Sequence, residues 1–222
     1  MTVALVTQAG SQNLVVNGEF QDGAATPPNE FATSSTVPGW TITPMNIDFG
    51  SYVMASGETA VPYGYPNYTL LPGANFTRPD NGQYFLMDSG LEYGILSQQI
   101  TGLVVGQTYL LTFDQSLMHL TAELGDPEST YVQVTMSDGV NTFTQNSATM
   151  SDDGTHSVDW MTQTMTFTAT AATQTLSFTG IGTGGPPQLG LDSISLVAIP
   201  EPGAALLCSL LGVLSLFKRK RS

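Results

Sequence analysis

Positive charge is almost missing from this chain. Of its 222 residues only five are Lys or Arg, and Lys218, Arg219, Lys220 and Arg221 account for four of them. Residues 1–199 hold a single base, Arg78, against seventeen carboxylates, a net charge of −16. Such a body repels phosphate backbones and anionic lipid, which excludes nucleic acid as a partner. The charge suits solubility outside a cell, a polysaccharide setting or divalent cations.

Cysteine is nearly absent too. Cys208 is the only one and lies in an apolar stretch near the C-terminus, so the body has neither disulfides nor thiolate metal ligands. Cys208 reads as a small apolar side chain rather than a lipidation site. His119 and His156 are the only histidines, and neither stands at metal-ligand spacing to another histidine or to a cysteine. No G-x-S-x-G elbow occurs. Ser151-Asp152-Asp153-Gly154-Thr155 lacks the ligand order of a calcium loop and reads as a solvated turn. A glycosidase pair drawn from distant strands leaves no local spacing, so the sequence is silent on one. The expectation is a protein that is not an enzyme.

Helical periodicity is also missing before the C-terminal stretch. Short runs rich in Thr, Val, Ser and aromatics alternate instead: Asn13–Asn17, Gln83–Asp88, Ile95–Thr101, Thr108–Gln115, Thr130–Ser137, Met161–Thr170, Thr175–Gly180 and Leu191–Val197. Turn signals separate them, and Asp138-Gly139 between two such runs predicts a hairpin. Ala55–Phe76, rich in Gly, Pro, Tyr and Asn, reads as a long loop. The pattern predicts an all-β sandwich over residues 13–198 with no internal domain boundary.

Only one long apolar run exists. Gly203–Phe217 is fifteen residues without a charge, about 22 Å as a helix. Basic residues follow it and can reach the headgroups of a membrane. Pro200-Glu201-Pro202, a short apolar helix and a basic terminus together resemble the bacterial PEP-CTERM sorting signal, also described as an ice-binding protein C-terminal domain. The resemblance covers residues 199–222. It implies export, transient anchoring of a transmembrane helix in the inner membrane, and processing by an exosortase-type membrane protease as partner. Pro200, Glu201 and Pro202 would be the sorting motif, and Lys218, Arg219, Lys220 and Arg221 the membrane stop. Residues 1–12, MTVALVTQAGSQ, lack a basic start and a full apolar stretch, and are expected to be the remainder of a signal segment that begins upstream.

A second resemblance spans the body. Asn13-Leu14-Val15-Val16-Asn17-Gly18-Glu19-Phe20, Pro38-Gly39-Trp40, Asp80-Asn81-Gly82-Gln83-Tyr84 and Gly190-Leu191-Asp192-Ser193-Ile194-Ser195-Leu196 occur in the order seen in galactose-binding-like jelly rolls. Gly94–Ile100 followed by Gly106-Gln107-Thr108-Tyr109 matches their central strand pair. These relatives include DUF642-type domains and carbohydrate-binding modules. The resemblance implies a two-sheet jelly roll whose first and last segments lie side by side. It also implies a structural Ca²⁺ near the joined ends, here through Glu19 and Asp192. The chain departs from that pattern at Gln21 and Ser193, where acids are usual.

Sugar recognition needs an aromatic plate and polar groups for hydroxyls. Trp40, Trp160, Tyr52, Tyr63, Tyr65, Tyr68 and Tyr84 are the supply, with Asn67, Asn75 and Gln83 close in sequence. Tyr63, Tyr65, Asn67 and Tyr68 on the long loop, with Tyr84, are the expected ligand-binding residues, while Trp40 is expected in the core. Asn67 and Asn75 also match the glycosylation acceptor pattern, which in a bacterium reads as chance. Thr162, Thr164, Thr166, Thr168 and Thr170 alternate along one strand, giving a row rather than the plane that ice would need. The chain thus reads as an exported surface or matrix protein that binds polysaccharide without catalysis. The alternative is a purely structural or adhesive matrix protein.

Overall fold

The computed structural model describes residues 12–27, 30, 32, 36–43, 50–61, 68–77, 82–90, 94–185 and 187–200. Eleven strands are described: β1 (Thr41–Thr43), β2 (Ser51–Met54), β3 (Tyr84–Asp88), β4 (Ile95–Thr101), β5 (Thr108–Met118), β6 (Ser129–Ser137), β7 (Thr142–Asn146), β8 (Met150–Ser151), β9 (Val158–Thr168), β10 (Thr173–Thr183) and β11 (Gln188–Ala198). They form two antiparallel sheets. One runs β1-β4-β10-β6-β7 with β8 paired to β6, and the other runs β2-β3-β11-β5-β9. The expected all-β jelly-roll sandwich is the fold. Among the described residues there is no α-helix, only a short 3₁₀ turn at Thr121–Glu123. None of these residues forms a helix long and apolar enough to cross a membrane. Gly203–Phe217 and the rest of 201–222 lie outside the described residues.

Period-two alternation places the inner faces. β6 buries Thr130, Val132, Val134 and Met136, and β10 buries Gln174, Leu176, Phe178 and Gly180. From the other sheet β5 sends in Tyr109, Leu111, Phe113 and Leu117. Aromatic rings join the two layers. Phe113 meets Phe178 edge-on at 5.4 Å, Phe178 meets Trp40 at 6.1 Å, and Phe20 lies 5.8 Å from Trp40 and 5.5 Å from Phe85. Trp40 is thus a core residue, with its indole N–H donating to the Asn17 carbonyl at 2.9 Å.

Asn13–Asn17, expected as a strand, runs beside β11 without becoming one. Leu14 N–H donates to the Leu196 carbonyl, and Leu196 N–H donates to Asn13 Oδ1, both at 2.9 Å. Gly18 follows because the Ile194 carbonyl occupies the place its Cβ would take. The first and last segments are therefore adjacent, as the resemblance implied.

β2 and β3 are buried on both faces, so their sequences, SYVM and YFLMD, carry no alternation. Their outward residues belong to a second core. Tyr52, Met54, Tyr84, Leu86 and Met118 from the sheet pack against Val61 and Leu70, with half-buried Tyr68, Phe76 and Trp160 at the margin. Of Ala55–Phe76, expected as a long loop, the described residues 55–61 and 68–76 form a roof over one half of this sheet's outer face.

The β6–β7 hairpin turns at Asp138-Gly139, as expected. Ser137 pairs with Thr142, and Gly139 takes φ 89°. Asp138 holds the turn by accepting from Val140 N–H (2.8 Å), Asn141 N–H (2.7 Å), Asn141 Nδ2 (2.9 Å) and Thr170 Oγ1 (2.7 Å). These bonds, led by those from Asn141, hold its pKa well below the ordinary 3.8. The stabilisation is present above 3.8 and is lost as the pH falls below it. Asp138→Asn is expected to lower the urea midpoint at neutral pH, with the gap from the parent narrowing towards about pH 2. A gap of constant size across that range would show that the carboxylate charge is not what the turn uses.

Candidate functional site

The open half of the outer face of the β2-β3-β11-β5-β9 sheet carries the groups suited to a polar ligand. Register sets them in rows. Asp192 faces Asp114, which faces Thr162, and in the next row Ser195 faces Thr112, which faces Thr164. Thr162 Oγ1 donates to Asp114 Oδ1 at 2.7 Å. Thr162, Thr164, Thr166 and Thr168 are all exposed on β9, the edge strand of this sheet, so four of the five expected threonines form a row; Thr170 lies beyond β9 and donates to Asp138.

Trp160 closes the row where the roof begins. Its indole lies over β11 at Gly190, where a Cβ would come within 2.9 Å of Cη2. Its N–H donates to the Asn75 carbonyl at 2.9 Å, and Asp159 Oδ1 accepts from Asn75 N–H at 2.9 Å. The edge strand and the roof are thereby joined. Trp160 is half-buried and stands edge-on to Tyr84 at 5.5 Å.

Tyr84, expected among the ligand-binding residues, is instead part of the second core. It is fully buried, its hydroxyl donates to the Glu58 carbonyl at 3.2 Å, and burial, aided by the Glu58 charge, pushes its pKa far up. A ring so enclosed offers no face to a sugar. Tyr68 lies half-buried at the margin of the same cluster. Tyr63, Tyr65 and Asn67 lie outside the described residues, as do Glu201, Pro202, Lys218, Arg219, Lys220 and Arg221, while Pro200 is exposed.

Glu19 and Asp192 come to one end of β11. Glu19 Oε2 accepts from Ser193 Oγ at 3.3 Å, and Asp192 Oδ1 accepts from Ser193 N–H at 2.8 Å. Ser193 sits at φ 54° in an irregular stretch of the β11–β5 ladder. Ca²⁺ takes six to eight oxygen ligands. Among the described residues no third carboxylate or imidazole joins this pair in a ligand group.

Such a group does occur elsewhere among the described residues, from three strand ends that share no spacing in the sequence. His119 follows β5, Glu128 precedes β6 and Asp152 follows β8, so the cluster bridges the two sheets at one end of the sandwich. His119 Nδ1 lies 3.1 Å from both Asp152 Oδ2 and Glu128 Oε2, and all three side chains are fully buried. His119 Nε2 is 3.0 Å from the Glu123 carbonyl, to which it donates. Asp152 Oδ1 accepts from Gly154 N–H at 2.6 Å and Glu128 N–H at 3.2 Å. Asp152 is thus no solvated turn residue. Its backbone bonds draw it under the turn and aim Oδ2 at the imidazole.

Burial pushes the Glu128 carboxyl up, partly offset by His119. Burial pulls His119 down, but the Glu123 carbonyl and the two carboxylates outweigh it and raise the imidazole.

No family model matches the chain. A segment of Halomucin from Haloquadratum walsbyi (strain DSM 16790 / HBSQ001) is 28% identical over 215 residues, covering 90% of this chain. The chain spans 2% of the length of that protein. Among solved structures, a Stig cyclase from Fischerella sp. TAU superposes with TM-score 0.54 at 17% identity, covering 86% of this chain and 99% of its own. The carbohydrate-binding module TmCBM61, solved with beta-1,4-galactotriose, gives TM-score 0.45 at 13% identity, covering 85% of this chain and 100% of its own. At these identities the likeness is one of fold. A likeness of fold to the cyclase assigns no activity, so the function is argued from this chain's own surface.

Proposed function

We propose that this chain is a non-catalytic polysaccharide-binding module of an exported surface protein, with its site on the open half of the β2-β3-β11-β5-β9 sheet. The observation that carries the reading is the juxtaposition of half-buried Trp160 with Asp114 and the exposed Thr162 and Thr164. An indole at the margin of a row of hydroxyls and a carboxylate matches the two faces of a sugar ring, apolar C–H on one side and hydroxyls at the rim. Half-buried Tyr68 packs against the same cluster as Trp160, and Tyr63, Tyr65 and Asn67 stand close to it in the sequence as further candidates. The body's net charge of −16 favours a neutral glycan over an acidic one. The match to Halomucin supports a surface setting. Processing by an exosortase-type protease at Pro200-Glu201-Pro202 belongs to the same reading and rests on the order of motif, apolar run and basic end.

A glycan-array screen of the intact chain, with Ca²⁺ and with chelator, tests the proposal. Binding to neutral polysaccharides is expected, weakened about tenfold or more by Trp160→Ala and by Asp114→Ala. An array without a binder, or variants that bind as the parent does, would remove this site.

One observation favours a structural matrix role instead. The outer face of the other sheet is an uncharged plane: Thr41, Ser97, Ser177, Thr135 and Thr144 lie in one row across five strands, and Thr179, Gln133 and Asn146 continue the next. A matrix protein that packs through this plane would lose incorporation on Thr179→Lys, whereas the sugar site on the opposite sheet would not respond.

A further inference from the structure

We infer that His119, Glu128 and Asp152 form a binding site for one divalent transition-metal ion, of the Zn²⁺ class, that clamps the two sheets together. The ligand atoms of the three residues all lie within 4.8 Å of one another. Two separations, from His119 Nδ1 to Asp152 Oδ2 and to Glu128 Oε2, are 3.1 Å. Donors at 2.0–2.2 Å around a tetrahedral ion stand about 3.3 Å apart, so small movements admit the ion.

The hydrogen bonds prepare the donors. His119 Nε2 gives its proton to the Glu123 carbonyl, which fixes the ring and leaves the Nδ1 lone pair facing the acids. Asp152 uses Oδ1 for two backbone N–H groups and keeps Oδ2 for the centre. Glu128 is the second, independent indication. Both its carboxylate oxygens are buried and accept no hydrogen bond, and the residue is 2% exposed. A buried carboxylate without hydrogen bonds is costly unless a cation meets it.

Charge and ligand type select the ion. Two carboxylates and a neutral imidazole carry −2, which a divalent ion cancels. One nitrogen with carboxylate oxygens suits Zn²⁺ and its first-row neighbours. Ca²⁺ prefers an all-oxygen shell of six to eight ligands. The site is separate from Glu19 and Asp192 and from the proposed sugar face. Its elements come from both sheets, β5 on one and β6 with β8 on the other, so the ion's effect is on stability.

The test uses the intact chain stripped with chelator and retitrated with ZnCl₂, with CaCl₂ as control. One Zn²⁺ per chain is expected by calorimetry. The melting temperature should rise by about 5–10 °C at a free-ion level near a hundred times Kd. Glu128→Gln should fold, because it removes an unbonded buried charge, and should lose the rise, as should His119→Gln. Co²⁺ in the parent should give the visible absorption of a four-coordinate site with a nitrogen ligand. An unchanged melting temperature with Zn²⁺, or an equal rise in Glu128→Gln, would overturn the inference and leave a shared proton as the positive charge between the acids. A response to Ca²⁺ alone would overturn it as well.

Discussion

Replacing Phe178 by Ala is expected to lower the unfolding free energy by about 4 kcal/mol. Phe178 is fully buried on β10 and touches both layers, edge-on to Phe113 of the other sheet at 5.4 Å and to Trp40 at 6.1 Å. Truncation loses the transfer free energy of the ring and leaves a cavity that β-sheet backbone, held by ladders on both sides, cannot close. β10 pairs with β4 and β6, so neither neighbour can shift without breaking register. Urea unfolding of parent and variant measures the difference. A loss below about 1 kcal/mol would mean that the sheets are not joined through this ring. Phe143 is 46% exposed on β7, and Phe143→Ala provides the control that should change little.

The second large effect is expected at His119. In chelator-treated protein, His119→Leu leaves the buried Glu128 and Asp152 without the imidazole between them and should cost about 3–5 kcal/mol. The cause is separable from packing by a second substitution. Adding Glu128→Gln to His119→Leu removes one of the two acids and should restore a measurable part of the loss. If the double variant is as unstable as the single one, the loss is one of packing, and the charge account of the cluster fails.

Most of the elements legible in the sequence share one physical feature, burial on one face over most of their length; β3, foreseen as Gln83–Asp88, is buried on both. β4 alternates, with Leu96, Gln98 and Ile100 buried between more exposed neighbours, and its expected bounds, Ile95–Thr101, are those of the structure. β6, β9, β10 and β11 were visible for the same reason. β2 and β3 lie under the roof and against the core, which erases alternation, and β2 was not foreseen. β7 fails for the opposite reason, because its residues are almost all exposed.

The site was less legible than the fold. Tyr84 reads as a surface aromatic beside a polar turn, yet the roof, through Val61, Tyr68, Leu70 and Phe76, buries it. Long-range bonds fix that roof, among them those joining Trp160 and Asp159 to Asn75, 85 and 84 positions apart, and those from Ser157 to Leu71 and Pro72. The polar plane on the other sheet is likewise a product of register between β1, β4, β10, β6 and β7. A single strand shows a row, and only pairing makes it a plane. His119, Glu128 and Asp152 come from three separate strand ends, so no spacing announces them. A histidine within an acidic body, just beyond a strand end, was the one available signal.

The measurement that bears most directly on the central claim is calorimetric titration of the intact chain with the neutral polysaccharide that binds best on the array. Trp160→Ala, Asp114→Ala and Thr179→Lys should be titrated beside the parent. The account predicts binding by the parent and by Thr179→Lys, and affinity reduced about tenfold or more in the other two. Equal affinity in all four, or loss only in Thr179→Lys, would contradict a sugar site beside Trp160 and move the function to the opposite sheet or away from sugar altogether.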